Sequence, residues 1–200
     1  MWIRIFALMA TTLALSGCGE TIVDYKYRLT LEVEADGKVY RGSSVVQVWL
    51  SRSAASPIST ANVLRRARGE ATVVDLGEGR LLVALITGTG HYTNDPWMPG
   101  NKVSARDLTP DELPRLVSFK NPNDPKTAFL VDPNNLTEAF GRGVKWRRIR
   151  IELADGERLT RQIDRQFPWL MEIDGGYLHG GRTSRGAPLG LHGGNFKMLR

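Results

Sequence analysis

The chain is poor in the residue types that usually announce chemistry: one cysteine, Cys18, and three histidines, His91, His179 and His192, in 200 residues. A lone cysteine excludes an internal disulfide, so stability has to come from packing. There is no Gly-x-Ser-x-Gly elbow, no His-Glu-x-x-His pair and no Gly-Lys-Ser/Thr phosphate loop, which removes the commonest hydrolase, zinc-protease and nucleotide signatures. The uncharged run from Ile5 to Leu15 is far shorter than the ~20 residues a membrane-crossing helix needs, so no permanent span is expected there. Acidic residues are in modest deficit, 21 against 27 Lys and Arg, which gives a net charge of +6.

What the first residues do contain is ordered. Arg4 gives a short positive start, Ile5 to Leu15 follows without charge, and the small residues Ser16 and Gly17 lead into Cys18. That is the order of parts in a secretory signal peptide. Leu15-Ser16-Gly17-Cys18 resembles the lipobox of bacterial lipoproteins, in which an aliphatic residue and two small ones precede an invariant cysteine. The resemblance covers about one tenth of the chain. It implies cleavage before Cys18, a diacylglyceryl group on its sulfur, and a lipid-modified cysteine as the mature N-terminus. Each buried methylene of such a chain contributes about 0.8 kcal/mol, and stable anchoring takes more than one chain. In Gram-negative cells the residue after the cysteine sorts these proteins; Gly19 stands where Asp would favour retention at the inner membrane, which implies the outer membrane, periplasmic face.

Loss of residues 1–17 leaves 183 residues, enough for one domain with a sizeable core, and 42% hydrophobic residues fits a globular chain. Without Arg4 the balance is 26 basic against 21 acidic side chains, a net +5. A basic body beside a membrane favours anionic envelope components as neighbours. Nucleic acid is not expected as a partner of an exported chain.

Residues 18–25 read as a lipid-anchored tether and 26–166 as a β-rich domain. From Tyr27 to Glu34, apolar and polar residues alternate with the period of a half-buried strand, and the Asp36-Gly37 step predicts a tight hairpin into Val39–Leu50. Ile58 to Arg68, with Thr60 as cap, reads as a short helix. Gly69–Leu76 and Arg80–Thr87 form a second expected hairpin about Gly77-Glu78-Gly79, and the unbroken apolar run Leu81–Ile86 suits a strand covered on both faces. Residues 88–143 form a proline-rich excursion, since seven of the ten prolines fall there; helical turns are expected only after Pro110 and from Pro133 toward Phe140. Val144–Leu153 resumes strand character, and Asp155-Gly156 predicts a third hairpin returning through Arg158–Ile163. Residues 167–200 form a glycine-rich C-terminal segment that is either loosely packed or wrapped around something.

Three clusters are candidates for chemistry. Arg65, Arg66 and Arg68 form either a solvated face or an anion site. In Gly180–Gly186, Arg182 and Arg185 offer two guanidinium forks beside glycines that let backbone approach a phosphate or carboxylate. His179 and His192, in two copies of Leu-His-Gly-Gly, and Asp174 are candidate metal ligands or acid–base groups, although their spacing matches no metal motif. Trp97, Trp146 and Trp169 serve either the core or a stacking surface.

The sequence is therefore expected to fold as a mainly β protein, with antiparallel hairpins forming a small sandwich or partly open barrel, short helices and long irregular segments. Its expected role is that of a lipid-anchored envelope protein, a binding or structural module close to the membrane, with no cofactor beyond the covalent lipid on Cys18. The alternatives are an envelope enzyme built on His179, His192 and Asp174, and a subunit of an envelope assembly.

Overall fold

The structure is a computed structural model and describes residues 20–52, 63–86, 104–172 and 190–198. Cys18, Asp174, His179, Arg182 and Arg185 lie outside the described residues, as do His91 and Trp97.

The protein is mainly β, built on two antiparallel sheets, and neither sheet closes on itself. The first sheet grows from one long hairpin, β1 (Glu20–Ala35) with β2 (Lys38–Arg52). Asp36 and Gly37 both take positive φ, 51° and 73°, as a two-residue turn between twisted strands requires. β3 (Val63–Glu70) pairs with the far edge of β2, and β9 (Lys145–Leu153) with the far edge of β1. β6 (Ala105–Asp107) and β10 (Lys197–Met198) complete the order β10-β3-β2-β1-β9-β6. The second sheet has the order β4-β5-β7-β8, from β4 (Thr72–Asp75), β5 (Leu81–Ala84), β7 (Leu116–Phe119) and β8 (Ala128–Val131). Gly69, at φ +146°, turns the chain from one sheet toward the other where an added Cβ would stand 3.0 Å from the Val45 carbonyl oxygen.

The sheets face each other across one core. Leu29, Leu31 and Val33 of β1, Val46 and Val48 of β2, and Ile149 and Ile151 of β9 meet Val74, Leu82, Ala84, Leu116 and Val131. The opposite face of the small sheet carries a second core, in which Leu81, Val83, Val117 and Phe119 pack beneath Ile163, Phe167, Trp169, Leu170, Leu191 and Phe196. β5 is consequently buried on both faces, which is why its sequence does not alternate. The C-terminal segment is a third layer where it is described, with Leu191 and Phe196 buried rather than loosely attached.

Several expectations are met: the first two hairpins, the turns at Pro110–Glu112 and Leu136–Phe140 (α1), and the strand at Lys145–Leu153. Others are corrected. The expected helix over Ile58–Arg68 is, from Val63 onward, strand β3, because the open edge of β2 from Gln47 to Arg52 takes a ladder that a short arginine-rich helix could not. The return strand Arg158–Ile163 does not form, since β1 and β6 already occupy both edges of β9. That stretch instead crosses toward β2, where Thr160 Oγ1 accepts from Val45 N at 2.8 Å, and then makes the short helix α2 (Ile163–Gln166). The expected tether through Tyr25 is largely strand, because β1 starts at Glu20 and Tyr25 is already buried. The proline-rich excursion also contains β7 and β8, strands of four residues that fit between prolines.

Candidate functional site

β1 puts Tyr25, Tyr27, Leu29, Leu31 and Val33 into the core, so the opposite parity defines the outer face of the large sheet. Toward the β9 side this face is a network of paired charges. Arg28 pairs with Glu152 and Glu157, Arg150 with Glu152 and Asp107, and Arg148 with Asp107. Arg41 pairs with Glu32, and Lys145 with Glu34. The Arg148 guanidinium, joined by Arg150, holds the exposed Asp107 carboxyl below its usual range.

The end of the sheet that holds Glu20 is different. The register aligns Asp24, Trp49 and Arg66 across β1, β2 and β3, and Lys26, Gln47 and Arg68 in the next outward-facing row. Gln47 donates to Asp24, while Lys26 Nζ donates to the carbonyls of Glu157 and Asp155 and the Asp155 carboxylate accepts from Lys26 N at 2.7 Å. Neither Arg66 nor Arg68 makes an ion pair with a described residue, and Arg68 Nε is buried without an acceptor. Arg65 belongs to β3 with the opposite parity. Thus the structure brings Arg66 and Arg68 to one face and adds Trp49 and Lys26, an alignment that exists only because Val63–Glu70 is a strand.

A groove of about 470 Å³ lies beside β8, lined by Phe129, Leu130, Val131, Asp132, Glu138 and Ala139. β8 ends the small sheet, so its outer edge pairs with no described strand. Such an edge can take one more strand through main-chain hydrogen bonds, with the groove receiving alternate side chains and the two carboxylates favouring a basic one.

Other candidates are absorbed by structure. His192 caps the turn Gly193–Asn195, its backbone N–H donating to Asn195 Oδ1 at 2.8 Å. Trp146 and Trp169 donate their indole N–H groups to the carbonyls of Pro133 and Pro122, both at 2.8 Å, and pack against the two cores. Among the described residues, no group of three or more His, Cys, Asp or Glu is placed to hold a metal ion. No described helix is long and apolar enough to cross a membrane.

Glu70 is the acid whose pattern the sequence hid. It is 2% exposed, and its Oε2 accepts from the backbone N–H of Gln162 at 2.6 Å and of Ile163 at 3.2 Å, so it caps α2. The adjoining cavity, lined by Tyr27, Ser44 and Thr72 among others, holds about 10 Å³, room for one water and no substrate. Burial is the largest influence on Glu70 and raises its pKa, against the two backbone donors that lower it. A carboxyl raised above its unfolded value contributes stability below the unfolded pKa and loses it as pH rises through the folded one. Glu70→Gln keeps an acceptor without the charge, and its melting temperature should vary less between pH 4 and 7 than that of the wild type. Glu70→Ala leaves two donors bare and should cost about 1 to 3 kcal/mol, read by urea unfolding.

Compared with known protein families, curated proteins and solved structures, the chain matches none. The fold and these surfaces define a two-sheet, mainly β protein, with Arg66 and Arg68 free of ion pairs to described residues at one end of the large sheet and, among the described strands, an unpaired edge on β8 of the small one.

Proposed function

We propose that this is a lipid-anchored cell-envelope protein, held by an acylated Cys18 at the periplasmic face of the outer membrane, where it acts as a binding or structural module. The observation that carries the reading is the shortness of the link: only Gly19 stands between Cys18 and β1, which starts at Glu20. Covalent geometry limits that link to about 7 Å, at ~3.5 Å per residue. A body attached so closely works at the membrane surface rather than at a distance from it. The groove beside β8 supports the binding half of the reading, with an extended, basic peptide of another envelope protein as the ligand its edge and carboxylates fit.

Labelling with a palmitate analogue in a bacterial host, followed by separation of inner and outer membranes, tests the anchor. The wild type should carry label and fractionate with the outer membrane, and Cys18→Ala should lose both. A soluble, unlabelled wild type would overturn the reading.

A further inference from the structure

Resting on the anchor just proposed, we infer that the outer face of the large sheet at its Glu20 end, Trp49 with Lys26, Arg66 and Arg68, lies on the anchoring membrane and binds anionic phospholipid headgroups. Its position favours this. The row Asp24–Trp49–Arg66 is four residues along β1 from Glu20, and the row Lys26–Gln47–Arg68 six, so at ~3.3 Å per residue they stand roughly 13 and 20 Å from the start of the strand. Screening confines charge attraction to about 8 Å in physiological salt. A sheet standing upright on its anchor would hold both rows beyond that reach, and a sheet lying with this face down brings both within it.

Its charge favours the same placement. In the two outer rows, Asp24–Trp49–Arg66 and Lys26–Gln47–Arg68, three basic residues stand with one acid, Asp24, which accepts from Gln47. The cations toward β9 are matched by Glu32, Glu34, Asp107, Glu152 and Glu157, whereas Arg66 and Arg68 have no carboxylate partner among the described residues. Trp49 is half-buried on the same face, directly opposite Arg66. An indole with a guanidinium beside it, here between Asp24 and Arg66, suits the boundary between acyl chains and headgroups, where one side is apolar and the other wet.

The test uses the full lipidated protein reconstituted in vesicles containing brominated acyl chains, with tryptophan fluorescence as the readout. In vesicles rich in phosphatidylglycerol, bromine should quench part of the emission, and Trp49→Phe should remove that quenched part. Each basic residue at an anionic surface is worth roughly fivefold in occupancy. Arg66→Gln with Arg68→Met should therefore lower docking about 25-fold while the protein stays in the vesicle through its lipid. Because Arg68 Nε is already a buried donor without an acceptor, Arg68→Met should leave the melting temperature unchanged or higher, which separates lost docking from lost fold. Quenching that persists in Trp49→Phe, or that is equal in purely zwitterionic vesicles, overturns the inference. So does quenching untouched by the double variant while that variant loses co-sedimentation with an anionic wall polymer, which would assign the face to the polymer. Wild-type protein that washes off the vesicles instead shows that the anchor itself is wrong.

Discussion

Gly42→Ala is expected to lower the melting temperature by about 10 °C or to leave no folded protein at all. Gly42 lies on the inner face of β2 where β4 crosses it, and a Cβ built there would stand 1.9 Å from the Val73 carbonyl oxygen and 2.6 Å from its carbon. Both obstacles are backbone, so no rotamer change relieves them; the two sheets have to separate. Overpacking a core costs typically 1–3 kcal/mol and more where backbone moves, and roughly 3 kcal/mol corresponds to about 6–12 °C for a chain of this size. Thermal unfolding followed by circular dichroism reads the effect. A fall of under 2 °C would mean that the sheets do not approach as closely as described.

Phe167→Ala is expected to cost about 4 kcal/mol, because the ring is wholly buried and its removal leaves a cavity at the centre of four aromatics. Its centroid lies 5.1 Å from that of Phe119, 5.5 Å from Trp169 and 6.1 Å from Phe196. Phe119 belongs to β7, and the other three rings to the C-terminal layer, so the variant measures how firmly that layer is held. Urea unfolding should keep a single transition at lower midpoint. A cost below about 1 kcal/mol would contradict the buried placement and leave the segment from Phe167 as an appendage.

The elements legible in the sequence are those whose local pattern and tertiary setting agree. The alternation Tyr27–Glu34 and the step Asp36-Gly37 specify a hairpin by themselves, and the unbroken Leu81–Ile86 signals a strand covered twice. Thr109-Pro110 announces its turn because proline is pre-set for a first helical position. β3 was hidden because Arg65-Arg66-Ala67-Arg68 has ordinary helix propensity, and only the vacant edge of β2, a partner remote in sequence, makes it a strand. The same cause hid the pairing of Trp49 with Arg66: without β3 there is no register to align them. The Asp155-Gly156 turn misled in the opposite direction, since its chemistry is that of a hairpin but both edges of β9 are occupied. Glu70 gives no signal at all in one dimension, because the backbone donors it caps are 92 and 93 residues away. Of the candidate site, the arginines at 66 and 68 are legible as a cluster, whereas the tryptophan opposite Arg66 and the groove beside β8 require the fold.

Everything functional in this account depends on Cys18 and the shortness of the link that follows it. The most direct measurement is mass spectrometry of the N-terminal peptide of the protein purified from bacterial membranes. The peptide should begin at Cys18 and carry the mass of a diacylglyceryl group. An unmodified Cys18, or a chain cut at another residue, would contradict it.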